Sequence, residues 1–160
     1  MTDKYYITTP IYYVNDKPHI GHAYTSVATD FIARFMRLKG HDVRFQTGTD
    51  EHGLKIQKAA ESKGKEPLEL CDENSQIFRD LTTTLDLSND DFIRTTEQRH
   101  IDGASFLWNR LHERNQIYLG EYTGWYSIND ETFYNEKDLV KQSDGSFKTV
   151  TGGSVDWITE

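Results

Sequence analysis

Residues 5–14, YYITTPIYYV, carry no charge and are mostly β-branched or aromatic. A run of that composition reads as a buried strand. Pro10 has no N–H to give to a ladder, so the strand is expected to end or bend there. After the loop NDKPHIG, residues 22–39 set Val27, Phe31, Phe35 and Leu38 at helical spacing, and Gly40 follows as a C-terminal stop. DVRFQTGT (42–49) reads as a second strand and DEHG as a turn. A short helix then runs to about Lys63, where Gly64 ends it. Pro67 suits the first turn of another helix, with Leu70, Ile77, Phe78, Leu81 and Leu85 on one stripe. DDFIRTT (90–96) is a third strand. A helix from about Glu97 to Arg114 follows, with Thr96 as its N-cap and Ile101, Ala104, Leu107, Trp108 and Leu111 turned inward. Strand, helix, strand, helices, strand, helix is the order of an α/β fold with a parallel sheet and right-handed crossovers.

Beyond Asn115 the texture changes to Tyr, Trp, Thr and Gly, with turn signals at SDGS and TGGS and one helical turn at NEKDLV. Short antiparallel strands are expected there. The boundary falls near residue 115: an α/β half over 1–115 and a β-rich appendage over 116–160. The 160 residues suffice for one domain with a small appendage. A net charge of −8 and no Lys/Arg cluster leave no patch for a phosphate polymer, so any such polymer is gripped elsewhere. The single cysteine, Cys71, excludes an intramolecular disulfide and an all-cysteine zinc site, and its setting, LELCDEN, reads as a helix with a buried thiol. The opening residues lack a signal peptide, and no apolar run approaches the ~18 residues of a membrane span. A cytoplasmic location without membrane attachment is expected.

In a doubly wound sheet, ligands bind beyond the carboxyl ends of the strands. Two unusual loops lie there, NDKPHIGH and TGTDEHG, and they share one crevice if their strands are neighbours. Gly21 at a helix start lets a ligand approach the backbone, where unpaired N–H groups and the helix dipole favour an anion. His19 and His22 add directed donors on the same rim. Such a donor aimed at developing charge contributes roughly 3 kcal/mol to a transition state. Packing or capping is the plainer role for either histidine. A metal site is disfavoured, since only Asp50 or His52 could supply a third ligand. In TGTDEHG, a carboxylate facing the crevice, Asp50, could hold an ammonium group by a charge-assisted hydrogen bond, or could simply cap the next helix. Neither a Walker phosphate loop nor GxGxxG occurs, so a dinucleotide site is disfavoured.

HIGH at 19–22, with TTPIYYVN before it and TGTDEHG, FIRTTEQRH and IYLGEYTGWYS after it, resembles the amino-terminal part of the class I aminoacyl-tRNA synthetases, and among them the methionyl-tRNA synthetase family. The resemblance runs from about residue 5 to the end. It implies the first half of a Rossmann-like catalytic domain followed by a β-rich connective insertion. It also implies ATP-dependent activation of methionine to methionyl-adenylate and transfer to tRNA(Met), with ATP carried as its Mg2+ complex. Carried over by position, His19, Gly21 and His22 match the ATP signature. Asp50 matches the carboxylate for the methionine ammonium, and Ile11 and Tyr13 match walls of the amino-acid pocket.

Two departures accompany the match. Relatives with a zinc knuckle place a C-x-x-C pair in the insertion, where this chain has Ser127 and Asp130. Serine is a poor zinc ligand, so a zinc-free insertion is expected. The family's later lysine-rich signature is not in these residues, and the chain therefore reads as an amino-terminal fragment, inactive alone, with an exposed apolar edge on its first strand. The competing readings are a class I synthetase for another aliphatic or sulfur amino acid, and a non-catalytic nucleotide-binding module of the same fold.

Overall fold

The computed structural model describes residues 2–160, which divide into two compact units between Phe106 and Leu107. In the first unit, β1 (Lys4–Thr8), β2 (Tyr12–Tyr13), β3 (Asp42–Asp50) and β4 (Asp91–Arg94) form one sheet with every pairing parallel. β3 is the common partner. β1 runs beside it from Lys4↔Asp42 to Thr8↔Gln46, and β2 resumes at Tyr12↔Thr49. β4 takes the opposite edge, from Gln46↔Asp91 to Thr49↔Arg94. The strand expected over 5–14 is thus two pieces laid along β3 and interrupted around Pro10, where no N–H is available for the ladder. β1 is also only half covered, with Tyr6 exposed.

Four helices connect and follow these strands: α1 (Ile20–Leu38), α2 (Leu54–Ser62), α3 (Pro67–Thr84) and α4 (Gln98–Glu113). Gly40 ends α1 at φ +88°, with its N–H on Arg37 O and the His41 N–H on Met36 O, and Gly64 ends α2 with the same pair of bonds. This is the paired 6→1 and 5→2 closure that a left-handed residue permits. The core joins Tyr12 and Val14 to Phe92, Ile56, Cys71 and Phe78. Tyr13, between Tyr12 and Val14, faces the other way, as the period of a strand requires. Gly48 has a packing reason of its own. A Cβ there would lie 2.0 Å from the Ile93 carbonyl oxygen, so β3 and β4 can pair only if position 48 has no side chain.

Two expected inward faces point elsewhere. On α1, Phe31 is 70% and Leu38 is 87% exposed, and Val27 and Phe35 are exposed as well; the helix buries Ser26, Thr29, Asp30 and Ala33 instead. It is held by polar links to the segment before β4. The Asp30 carboxylate accepts from the Ser88 amide (2.7 Å), the Ser88 hydroxyl (2.5 Å) and Arg34 Nε (2.6 Å). Arg37 reaches the Ser88 hydroxyl and Asp90, which in turn accepts the Phe45 N–H. Burial works to raise the Asp30 pKa, but these donors outweigh it and hold the carboxyl below its ordinary value. On α4 no residue is buried. Thr96 does not serve as its cap: the first N–H groups of the helix, His100 and Ile101, donate to the Glu97 carbonyl, and the Thr96 hydroxyl lies outside the helix, donating to the Glu51 carboxylate. Periodicity reports that a helix has an apolar face, not that this chain supplies its cover.

The second unit holds β5 (Thr123–Ser127), β6 (Thr132–Tyr134), β7 (Val140–Lys141), β8 (Phe147–Lys148) and β9 (Asp156–Thr159), with a 3-10 turn at Glu136–Asp138. β5 lies between β6 and β9, both antiparallel to it, and β7 and β8 form a hairpin closed by Gly145 at φ +87°. Trp125 packs edge-on to Trp157, ring centroids 5.2 Å apart. Ser127 is fully buried and donates to Asp130 Oδ2 at 2.9 Å, while its oxygen accepts the Asp130 N–H. These oxygens answer each other within the turn and do not fit a thiolate-type zinc site. Among the described residues no helix is long and apolar enough to cross a membrane.

The open α1 stripe and the unpaired outer edge of β1 generate one expectation. The isolated chain binds a hydrophobic dye and self-associates in light scattering. Phe31→Lys combined with Phe35→Lys reduces both, whereas lysines at already polar α1 positions leave both unchanged.

Candidate active site

The carboxyl ends of β2 and β3 lie side by side through the Tyr13↔Asp50 pair, so the two loops singled out in the sequence do leave neighbouring strands. From β2 the chain passes Val14, fully buried with its carbonyl taken by Asn74 Nδ2, and enters Asn15–Pro18 before α1 begins. The start of α1 is closed by its own histidines. His19 is the N-cap, and its Nδ1 accepts the Gly21 N–H at 3.1 Å. His22 Nδ1 accepts the His19 N–H at 3.0 Å, completing a reciprocal capping box. Gly21 makes this possible locally, since a Cβ there would come within 2.9 Å of His19 Cε1. The glycine clears space for an imidazole folded back onto the helix start.

Capping decides the chemistry of both rings. A nitrogen that accepts a backbone N–H carries no proton, so the proton of each neutral imidazole is on Nε2. The two rings lie 3.9 Å apart between centroids, and His22 also meets Tyr12 and Phe78 edge-on. Burial first, and then the neighbouring His19, lower the His22 pKa below 6.5. The result is a pair of adjacent imidazoles, each with Nε2 left for a ligand. They line a cavity of about 470 Å³ together with Ile11, Tyr12, Tyr13, Asn15, Asp16 and Lys17.

Four residues expected at a site therefore share one wall: His19, His22, Ile11 and Tyr13. Asp50 and Gly21 are not part of that wall. Asp50 stands one strand over, beside Tyr13, and its Oδ1 accepts only a long contact from the His52 N–H at 3.4 Å. It does not cap α2, whose N-cap is Gly53 with no side-chain hydrogen bond. The TGTDEHG loop lines a separate cavity of about 680 Å³ through Glu51, His52 and Gly53. Asn15 and Lys17 were not singled out from the sequence. The signal present was a lysine two residues ahead of a histidine-flanked helix start. Cys71 is buried, its thiol pushed up to about 11 by burial and then by Glu51, and it is no nucleophile.

A parallel α/β sheet with its first crossover helix between neighbouring strands is the fold that the resemblance to class I synthetases implies. Comparison with known proteins agrees. Residues 5–144 match the family described as tRNA synthetases class I (M), and the chain belongs to that family. The methionine–tRNA ligase of Rickettsia bellii (strain RML369-C) is 55% identical over 160 residues, covering all of this chain and 31% of that protein. That of Mesorhizobium japonicum is 50% identical over 158 residues, 99% of this chain and 31% of the relative. Among solved structures, Mycobacterium tuberculosis methionyl-tRNA synthetase in complex with methionyl-adenylate superposes with a TM-score of 0.90 at 47% identity, over 99% of this chain and 31% of that one. The chain thus spans about a third of the length of these relatives.

The caps can be tested in a chimaera in which these residues replace the matching 160 of the Rickettsia bellii ligase. Nitrogen-15 spectra are expected to show Nδ1 unprotonated and Nε2 protonated for both histidines. A lowered His pKa means that the unfolded chain binds the extra proton first. The His22 contribution is therefore fully present above pH 6.5 and is lost as pH falls below it. The loss is read as a fall in the thermal midpoint as pH drops below 6.5. His22→Asn, which keeps an acceptor but does not titrate, removes that part of the pH dependence.

Proposed function

We propose that this chain forms the amino-terminal part of a methionine–tRNA ligase, which activates methionine with ATP and passes it to tRNA(Met). The observation that carries the reading is the pair of capped imidazoles, each with Nε2 outside the cap, lining a strand-end cavity in a chain of this family. In the first step a methionine carboxylate oxygen bonds to the α-phosphorus of ATP, and the bond from that phosphorus to the bridging oxygen breaks. Pyrophosphate leaves with the electron pair. No protein nucleophile is needed, which suits a site whose donors are two imidazoles and a helix start. The Nε2–H groups of His19 and His22 meet charge growing on the phosphate oxygens, and neutral donors in a partly dry cavity do so without rearranging. Lys17 on the same wall adds a point charge suited to the pyrophosphate end. Mg2+ would be carried mainly by the phosphate oxygens, and Asp16 is the one carboxylate lining this cavity.

Asp50 takes the methionine ammonium, and Ile11 and Tyr13 contact its side chain, an apolar and an aromatic wall suited to a flexible thioether. Lys55 lies over the Tyr13 ring, 5.5 Å from its centroid, and steadies that wall. tRNA is gripped mainly outside these residues, in keeping with a net charge of −8, and the protein works in the cytoplasm.

Methionine-dependent ATP–pyrophosphate exchange by the chimaera tests the reading, with leucine, valine and cysteine in parallel. Methionine is expected to support exchange and the others not. Exchange with another amino acid but not methionine would move the chain to a different class I specificity, and none with any would favour a non-catalytic module. His22→Ala is expected to lower the exchange rate by about one to three orders of magnitude, the scale of a lost oxyanion donor, with methionine affinity little changed. The 160 residues alone are expected to give no exchange.

A further inference from the structure

The Glu51 side chain is fully buried, and its carboxylate is saturated. Oε1 accepts from Arg94 Nε at 2.7 Å and from the Thr49 hydroxyl at 2.8 Å. Oε2 accepts from Arg94 Nη2 at 3.0 Å and from the Thr96 hydroxyl. The backbone of the same residue is also taken: its N–H donates to the Thr95 hydroxyl at 2.9 Å, and its carbonyl receives the Cys71 thiol. Arg94 spends its remaining reach on Asp72, at the solvent side of α3. The hydrogen bond from Arg94 to Glu51, with Asp72 beside it, raises the guanidinium pKa further. Glu51 thus ties the end of β3 to the end of β4 through its carboxylate, and to α3 through its carbonyl and through Arg94.

Stability does not explain this arrangement well. Burying an ion pair costs desolvation that its attraction only partly returns, and apolar replacements often do as well. What such a pair fixes is geometry. The residue it immobilises follows Asp50 directly, and the pleat sends Asp50 to the opposite side, toward Tyr13. Beyond Glu51, His52 is tied back to Thr95 O at 3.4 Å. Among the described residues Asp50 accepts only the long contact from the His52 N–H, so the direction of its carboxylate is set chiefly by the backbone on either side of it.

We propose that Glu51, locked by Arg94 and Thr96, is a positioning residue for Asp50, aiming the Asp50 carboxylate at the substrate ammonium. The inference rests on the reading of Asp50 as the ammonium holder. An ammonium contact is the same in the ground state and in the transition state of adenylate formation. Misaiming Asp50 therefore weakens methionine binding and leaves the chemical step nearly intact. The fork of Arg94 meets both carboxylate oxygens, and the single ammonium of lysine would not reproduce it.

The test uses three variants of the chimaera in the exchange assay, with thermal midpoints measured alongside. Glu51→Gln keeps the shape and removes the charge, and is expected to raise KM for methionine about tenfold with kcat within twofold and KM for ATP unchanged. Arg94→Lys, which keeps the charge at a site with some solvent exposure, is expected to raise methionine KM as well, because charge without the fork does not restore the aim. A lowered thermal midpoint with methionine KM within twofold of the parent in both variants would make the pair a structural clamp only and overturn the proposal. An equal fall in kcat and kcat/KM would also overturn it. Asp50→Asn separates the underlying reading. A large rise in methionine KM supports the ammonium role whatever Glu51 does, and an unchanged KM overturns that role and this inference with it.

Discussion

Every strand of the first unit hydrogen-bonds to β3, and the sheet has no other means of setting its register. Gly48 is what lets β4 come close enough on one edge, because any side chain would strike the Ile93 carbonyl. On the other edge, β2 lies where Tyr13 meets Asp50. The relative placement of the two candidate loops is therefore a ladder property. Side chains refine it, but a one-residue slip of β2 along β3 would turn Tyr13 inward and Tyr12 out of the core.

Around that ladder the unit is joined by polar contacts at both ends. At one end Asp30 and Arg37 of α1 clasp Ser88 and Asp90, and at the other Glu51 clasps Arg94 and Thr96. Hydrogen-bonded junctions of this kind fix direction more than they add free energy, since each group gives up water to make them. The apolar surface is distributed differently. Phe31, Leu38 and their neighbours on α1, and Ile101 and Phe106 on α4, are open in these residues. The first unit is thus well specified in its angles and thinly covered in its apolar area.

Much of this was legible in the sequence. The alternation of strand and helix periods located the strands, the Gly stops and the parallel sheet, and the inward stripe of α3 is seen at Leu70 and Phe78. HIGH marked the helix start, and four of the six expected site residues share one cavity wall. What escaped were the properties that depend on partners distant in sequence. Nothing local to α1 says that Asp30 will be buried against Ser88, 58 positions away. Nothing local to TGTDEHG says which of two adjacent carboxylates turns inward, because that is settled by Arg94, 43 positions on. The same dependence misled the reading of Thr96, whose hydroxyl goes to Glu51 while α4 starts one residue later on the Glu97 carbonyl.

The histidine box at the start of α1 restricts what evolution or design can do there. Each ring has to receive a proton donor at one end and present one at the other, on a frame short enough to fold back on its own helix. Lysine and arginine supply only the second half of that duty, aspartate only the first, and serine can cap but carries its donor on too short a stem to present it far from the helix. Asparagine and glutamine keep both functions without the ring. The residues that suit these two positions are therefore few, and the choice is set as much by the helix that must begin as by any ligand that must be bound.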